Sequence, residues 1–294
     1  MSSDDPTAVA YIDLLARAVL GITSFPDYSY VPIRATDGSW LRRRVQSALL
    51  RRGHSVLAYR RRMDAADDPE GRRFVDQLPP GVMTMVGAKR IQNVVDCVAD
   101  VVANGVPGDL IETGVWRGGT SIVMRGTLNA LGGGDRAVYV ADSFAGLPPP
   151  DPDRYPADRG SDLHEYQELA VELEEVKRGF QRYGLLDDRV HFVKGFFRDT
   201  LPALQGHPWS LCRLDGDLYE STMDALTSLY PSLSPGGWII VDDYFAVPGC
   251  QQAVTDYRDE NDLSEPIVTI DWGGVCWKKG DLQGQPPPPL GILP

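Results

Sequence analysis

The chain has 294 residues, of which 43% are hydrophobic and 24% are charged, and its formal net charge at pH 7 is −12. This composition is typical of a globular protein with one large domain. The negative charge argues against the broad basic face of a general nucleic-acid binder. We find neither a secretory leader nor an apolar run of membrane-spanning length, so we expect a cytoplasmic protein that binds neither nucleic acid nor membrane.

Residues 1–80 differ from the rest and are expected to form a helical N-terminal extension. The stretch "AVAYIDLLARAVLG" has apolar residues at helical spacing, which predicts an amphipathic helix. Further on, residues 42–62 contain eight arginines and no acid. These arginines either bind an anionic group or face solvent and pair with acids of the main domain, and the sequence leaves both alternatives open. A helical extension would suit a dimer or larger homo-oligomer, or a cover over the substrate.

Residues 81–282 show the alternation of strands and helices that indicates an α/β fold. The predicted strands are "GDLIETGVW", "AVYVADSF", "RVHFVKG", "WSLCRLDG", "GGWIIVDDY", "PIVTID" and "GVCWKKG". The central ones are continuous apolar runs, as in a parallel sheet that is covered on both faces. The last two lie too close together for a helical crossover, so we expect an antiparallel hairpin at or near the edge.

Two further segments fall outside this alternation. The loop that includes residues 147–165 is rich in proline and aspartate and unusually long, so we expect a mobile lid over the acceptor. A helix is predicted to follow over residues 163–184. The proline-rich tail, residues 283–294, is expected to be disordered or extended.

The segment "IETGVWRGGTS" connects the first core strand to a helix. Its glycines would let a ligand approach the backbone closely, and its spacing is neither the dinucleotide fingerprint nor a P-loop. Glu112 ends the strand, where it would attract a cationic ligand group. Asp142 ends the next strand and either accepts both hydroxyls of a ribose or caps a turn with Ser143.

Four aspartates follow two later strands, in "LDGDLYES" and "GGWIIVDDY". Asp217 and Glu220 have capping-box spacing, which would make Asp217 a helix cap. Capping does not explain Asp215 or the pair Asp242 and Asp243. Neighbouring parallel strands end about 5 Å apart, so these three carboxylates would repel one another unless a hard cation such as Mg²⁺ lay between them. We therefore predict a magnesium site formed by Asp215, Asp242 and Asp243.

The chain resembles the macrocin O-methyltransferase family, class I S-adenosylmethionine-dependent enzymes that methylate sugars in antibiotic pathways. The resemblance spans roughly residues 10–280 and is most specific in "LDGDLYES…PGGWIIVDDY". It implies a Rossmann-like, mostly parallel seven-stranded sheet with an antiparallel terminal hairpin. It also implies that Asp217 is the general base, that Mg²⁺ activates the acceptor hydroxyl, and that the acceptor is a glycosylated small molecule.

The resemblance and the glycine-rich loop together imply a binding site for S-adenosylmethionine. Thr84 and Met85 would line its methionine end, Ser121 would meet its carboxylate, and Gly195 and Phe196 would lie near adenine, although Phe196 is equally consistent with a core aromatic. The full set of residues expected to bind the cofactor is Thr84, Met85, Glu112, Thr113, Gly114, Val115, Ser121, Asp142, Ser143, Gly195, Phe196 and Asp215.

Three other functions compete with sugar O-methylation. A catechol-type O-methyltransferase would use the same metal, because a small aromatic diol also chelates through two neighbouring oxygens. A nicotinamide oxidoreductase is disfavoured by the missing G-x-G-x-x-G. A non-catalytic binding module would have no reason to keep three clustered carboxylates beside Asp217.

Overall fold

The computed structural model describes residues 5–23, 28–32, 57–61 and 81–293. Its helices are α1 (Pro6–Val19), α2 (Ala88–Ala103), α3 (Gly119–Leu131), α4 (Leu173–Arg182), α5 (Phe197–Thr200), α6 (Tyr219–Leu229) and α7 (Pro248–Glu260). Its strands are β1 (Tyr28–Pro32), β2 (Leu57–Arg61), β3 (Asp109–Thr113), β4 (Val138–Asp142), β5 (Val190–Lys194), β6 (Trp209–Leu214), β7 (Leu233–Val241), β8 (Val268–Thr269) and β9 (Val275–Lys278).

A seven-stranded sheet forms the centre of the fold, in the order β5-β4-β3-β6-β7-β9-β8. Strands β3 to β7 run parallel to one another, and β9 pairs antiparallel with both β7 and β8. The α/β class, the seven strands and the antiparallel terminal hairpin are thus confirmed. None of the helices in the described part of the chain is long and apolar enough to cross a bilayer.

The register of the sheet aligns the carboxyl ends of its three central strands. Thr113 of β3 is level with Leu214 of β6, and Leu214 is level with Val241 of β7. Chain order reverses between β3 and β6, because β4 and β5 extend the sheet to one side and β7 to the other. Such a switch point opens a crevice at the carboxyl edge of the sheet, where ligands of open α/β folds bind.

Apolar side chains bury both faces of the sheet, as the continuous apolar strands predicted. Helices α1, α2, α3 and α4 contribute to the core on one face, and α6 and α7 contribute to the core on the other. Residues next to each other in a strand point to opposite faces, so Leu211 enters the first core and Cys212 the second. All four cysteines are free and buried.

Within the N-terminal region the structure describes residues 5–23, 28–32 and 57–61, which hold one helix and two strands, and the expected helical extension stays a prediction. Helix α1 buries Ile12, Leu15 and Val19 in the main core, so it belongs to the same packed unit as the sheet. β1 and β2 form a separate antiparallel pair. Within the arginine-rich stretch 42–62 only the backbone of β2 is described, and the remainder of that stretch lies outside the described residues. The proposed division at residue 80 stays a prediction.

The helix expected over residues 163–184 begins later than predicted. Residues 163–165 and 167–169 form single 3-10 turns, and the α-helix covers only Leu173–Arg182. The C-terminal tail is extended and packed rather than disordered, because Ile292 is buried in the core and the Leu290 amide donates to Asp96 Oδ1 at 2.7 Å.

Candidate active site

A cleft lies over the carboxyl edge of β3, β4 and β6. Its empty volume is about 720 Å³ with the open mouth included. Seven of the predicted site residues line it, namely Met85, Gly114, Asp142, Ser143, Phe196, Asp215 and Asp217. Leu147 and Pro148 of the lid also line it, so the lid reaches the cleft as predicted. Whether the lid moves stays a prediction.

Gly114 allows the glycine-rich loop to lie directly against the end of β6. Its φ of +83° is in the left-handed region, and a Cβ at this position would lie 1.7 Å from the carbonyl oxygen of Asp215. No other residue type fits such a close contact between two backbones. The loop therefore passes through the switch point at Asp215, and Trp116, with a φ of +48°, turns it toward α3.

The carboxylate of Asp142 is held by backbone amides at the wall of the cleft. Oδ2 accepts a hydrogen bond from the Val115 amide at 2.8 Å, and Oδ1 accepts one from the Phe144 amide at 2.7 Å. Asp142 therefore organises both loops, which is the turn role considered from sequence. The Ser143 hydroxyl also lies 3.4 Å from Oδ1, and the binding of a ribose by Asp142 stays a prediction.

Glu112 and Ser121 bond to each other rather than projecting into the cleft. The Ser121 hydroxyl donates to Glu112 Oε2, and both residues are at most 1% exposed. Arg213 Nη1 donates to Glu112 Oε1 at 2.6 Å. Neither residue is among those that line the cleft, and their roles at the cofactor site stay predictions. Burial raises the pKa of Glu112 to about 7, although Arg213 opposes the rise.

Four other residues expected at the cofactor site are Thr84, Thr113, Gly195 and Phe196. Thr84 and Thr113 are buried, with the Thr84 hydroxyl 3.4 Å from that of Thr120. The Gly195 amide donates to the Asp142 carbonyl at 2.9 Å, which places Phe196 at the cleft. None of these contacts tests a binding role.

The predicted metal ligands Asp215, Asp242 and Asp243 meet at the carboxyl ends of β6 and β7. One carboxylate oxygen from each residue lies within 4.8 Å of the other two. The short distance follows from the register, since Asp215 and Asp242 are the first residues after the level positions Leu214 and Val241. Asp243 Oδ2 is buried and has no hydrogen-bond partner among the described residues.

Two buried arginines that the sequence analysis did not identify bind these acids. Arg213 donates to Asp215 Oδ2 at 2.8 Å and to Asp242 Oδ1, and Arg90 donates to Asp242 Oδ2 and, at 2.8 Å, to Asp271 Oδ2. Arg213 stands in the apolar run "WSLCRLDG", and a charged residue inside a buried strand signals an internal ion pair. Arg90 lies on a helix face that gave no comparable signal.

The pKa values of these acids shift in different directions. Burial acts to raise the pKa of Asp242, but Arg213 and Arg90 outweigh it, so this pKa lies below its ordinary value. Burial and the neighbouring acids Asp217 and Asp215 hold the pKa of Asp243 well above its ordinary value. Burial, together with Asp215 and Asp242, raises the pKa of Asp217 to about 7.

Asp217 does not cap the helix that follows it. It lies in a tight turn in which the Leu218 amide donates to the Gly216 carbonyl at 2.6 Å, and its φ of +57° is in the left-handed region. The first amides of α6, those of Tyr219 and Glu220, instead donate to Asp158. The Asp217 carboxylate is thereby left at the cleft, so the capping interpretation was wrong.

Comparison with known proteins identifies the family of this chain. The family model for macrocin O-methyltransferase (TylF) matches residues 8–279. The chain belongs to this family. The enzyme is therefore an S-adenosylmethionine-dependent O-methyltransferase, with the class I fold described above.

Individual relatives agree with this assignment. The enzyme is 51% identical to demethyldecarbamoylnovobiocin O-methyltransferase of Streptomyces niveus over 68% of its own length and 77% of that protein. It is 52% identical to 8-demethyl-8-(2,3-dimethoxy-alpha-L-rhamnosyl)-tetracenomycin-C 4'-O-methyltransferase of Streptomyces olivaceus over 73% and 82%, respectively. The solved structure of the O-methyltransferase NovP matches with a TM-score of 0.77 and 41% identity, covering 93% of this chain and all of that one.

The acid cluster of the enzyme fits a divalent cation. The donor set consists of carboxylate oxygens, which suits Mg²⁺. Asp243 Oδ2 has no hydrogen-bond partner in the part of the chain that the structure describes, and burial together with the neighbouring acids raises the pKa values of Asp215 and Asp243. A cation held by Asp215, Asp242 and Asp243 would relieve that repulsion.

Proposed function

We propose that this enzyme uses Mg²⁺ and S-adenosylmethionine to methylate a sugar hydroxyl of a glycosylated natural product. The observation that carries the proposal is the position of Asp217 on the cleft wall, beside the cluster of Asp215, Asp242 and Asp243. The names of two relatives support a glycosylated acceptor, namely the rhamnosyl-tetracenomycin methyltransferase described above and mycinamicin III 3''-O-methyltransferase of Micromonospora griseorubida. A cytoplasmic location and a homo-oligomeric state stay predictions.

In this proposal several side chains of the cleft bind the reactants, and one accepts a proton. The glycine-rich loop and Asp142 would hold S-adenosylmethionine, with its sulfonium methyl toward the acid cluster. Asp215, Asp242 and Asp243 would hold Mg²⁺, which supplies Lewis-acid chemistry that lowers the pKa of a nearby hydroxyl. Asp217 lines the cleft beside this cluster, and it would accept the acceptor's proton.

The proposed reaction transfers one methyl group and one proton. The acceptor oxygen forms a bond to the methyl carbon while the carbon–sulfur bond breaks, and its electron pair stays on sulfur. The hydroxyl proton passes to Asp217, and the products are a methyl ether and S-adenosylhomocysteine. Without a bound metal, burial and the acids Asp215 and Asp242 raise the pKa of Asp217 to about 7, and a carboxylate with a raised pKa is a stronger base than an ordinary aspartate.

The test is a methyl-transfer assay with labelled S-adenosylmethionine and a panel of glycosylated acceptors, with Mg²⁺ or with a chelator. We expect methyl ethers of the sugar in the presence of Mg²⁺ only. Asp217→Asn should bind S-adenosylmethionine like the wild type and lose turnover at least 100-fold. Full activity in the presence of the chelator would exclude the metal mechanism.

The same panel should contain a simple catechol. A catechol-type enzyme would methylate it faster than any glycoside, whereas we expect glycosides to be preferred. Mapping the methyl group on the product by mass spectrometry and NMR separates sugar methylation from methylation of the aglycone.

A further inference from the structure

The lid is attached to the catalytic wall of the cleft through one buried side chain, that of Asp158. The carboxylate lies in the lid segment 147–165, and the residue is 3% exposed. Oδ1 accepts a hydrogen bond from the Tyr219 amide at 2.6 Å, and Oδ2 accepts one from the Glu220 amide at 3.1 Å. A residue about 60 positions away in the chain thus caps helix α6, where no side chain of the helix's own N-terminus does so.

The surroundings of Asp158 are shaped to hold this carboxylate in place. In the first turn of α7, a Cβ at Gly249 would lie 2.8 Å from Asp158 Oδ1, so any larger residue would push the carboxylate out. On the other side, the Tyr155 ring of the lid packs against the Tyr219 ring of α6, with centroids 5.8 Å apart. The lid therefore seats against α6 and α7 together.

Asp217 lies between this capped helix and the end of β6. On the strand side, the Asp215 amide donates to the Thr113 carbonyl at 2.8 Å. On the helix side, Leu218 leads directly into the two amides that Asp158 binds. The φ of Asp217 is +57°, in the left-handed region that glycine enters more readily than aspartate, and the contacts at the two ends of the turn hold it there.

We infer that Asp158 is a positioning residue that couples the seating of the lid over the acceptor to the placement of the Asp217 carboxylate. When the lid is seated, the cap fixes the start of α6 and thereby the turn at Asp217. When the lid lifts, the Tyr219 and Glu220 amides lose their acceptor and the turn can relax. Asp158 touches no reacting atom and acts only through Asp217. The inference rests on the proposed function, because it takes Asp217 as the base.

The variants that test this coupling are Asp158→Ala, Asp158→Asn and Gly249→Ala. Alanine removes both acceptors, asparagine retains one, and an added methyl at residue 249 displaces the carboxylate without altering it. Asp162→Asn is the matched control, because Asp162 is an exposed acid of the same lid. Because asparagine retains one cap, Asp158→Asn should stay folded if Asp158→Ala does not.

Two measurements that do not depend on methyl-transfer activity test whether Asp158 holds the lid against α6. Trypsin should cleave the lid after Arg154 and Arg159, both exposed, at least fivefold faster in Asp158→Ala and Gly249→Ala than in the wild type. Amide exchange over residues 216–222 should speed up in the same variants. Unchanged cleavage and exchange would overturn the inference even if the enzyme proved to have another activity.

Kinetics then test the coupling to the base. We expect kcat to fall at least tenfold in Asp158→Ala and Gly249→Ala and less in Asp158→Asn, with the affinity for S-adenosylmethionine within twofold and Asp162→Asn unchanged. In an Asp217→Asn background, single-turnover rates should fall no more than twofold on adding Asp158→Ala. Equal losses in both backgrounds would show a merely structural role and overturn the inference. A wild type without methyl transfer would refute the proposed function instead.

Discussion

Arg213 donates a hydrogen bond from Nη2 to Asp242 Oδ1, and both side chains are buried. This pair joins the carboxyl end of β6 to the first residue after β7, where the acid cluster begins. Because the arginine also binds Glu112 and Asp215, removing it would leave several buried acids without compensation. A buried ion pair adds little net stability when intact, but breaking it by removing one partner costs much more.

We therefore expect Arg213→Met to lower the free energy of unfolding by about 3–5 kcal/mol, as measured by denaturant unfolding without Mg²⁺. Lys177→Met is the control, because Lys177 pairs with Glu174 at an exposed site on α4 and should contribute less than about 1 kcal/mol. Similar losses in the two variants would show that Arg213 does not neutralise the cluster.

Asp243→Asn should not destabilise the metal-free enzyme, but it should abolish the stabilisation that Mg²⁺ provides. In the absence of Mg²⁺ the variant should be at least as stable as the wild type, because one of the repelling carboxylates is gone. It should also lose the stabilisation that Mg²⁺ gives the wild type, which would be about 2.7 kcal/mol at 100 times the dissociation constant. Thermal unfolding with and without Mg²⁺ measures both effects.

Asp199→Asn provides the comparison for this metal test. Its side chain is exposed and lies beside Arg198 at the cleft rim, so it controls for the general effect of removing one negative charge. Mg²⁺ should stabilise this variant and the wild type equally. Equal stabilisation of Asp243→Asn would refute the assigned site.

Asp96 should make the enzyme less stable as pH rises. Burial raises the pKa of this acid to about 6, although hydrogen bonds from the Leu290 amide and Gln92 oppose the rise. A pKa raised in the folded state contributes stability that is complete below the unfolded value, near 4, and is lost as pH rises through about 6. Asp96→Asn retains the acceptor Oδ1, so we expect it to exceed the wild type in stability at pH 8 by on the order of 1 kcal/mol.

Unfolding titrations between pH 5 and pH 8 measure this difference. The gap between Asp96→Asn and the wild type should widen with pH. Asp96→Ala, which loses both hydrogen bonds, should be less stable than Asp96→Asn at every pH. A gap that is constant or narrows with rising pH would show that the carboxyl is not held in its neutral form.

The C-terminal tail should contribute to stability through Ile292. This residue is 1% exposed and packs into the core shared with α1, so Ile292→Ala should cost about 2–4 kcal/mol in unfolding free energy. Leu282→Ala is the matched control, because Leu282 is 70% exposed and its truncation should change stability by less than about 0.5 kcal/mol. Equal effects would mean that the tail is not docked in solution.

Most strands and helices could be predicted from the sequence, because the patterns that indicate them involve residues close together in the chain. Continuous apolar strands such as "WSLCRLDG" indicated a buried parallel sheet, and the short link between the last two strands required an antiparallel turn. The helix predicted over 163–184 was wrong in its first part because residues 163–169 follow the path of the lid instead. The strand pair at Tyr28–Pro32 and Leu57–Arg61 was missed because its pairing joins distant segments.

The sequence by itself determined the sheet, the glycine-rich loop and the grouping of Asp215, Asp242 and Asp243, since parallel strands must end at one edge. Only the tertiary structure decided how those acids are neutralised and which carboxylate caps α6. Arg90 comes from a helix, Arg213 from a strand interior and Asp158 from the lid, and no local spacing relates them to the aspartates they support. Such partners are selected by proximity in the folded chain, which is a property of packing and not of periodicity.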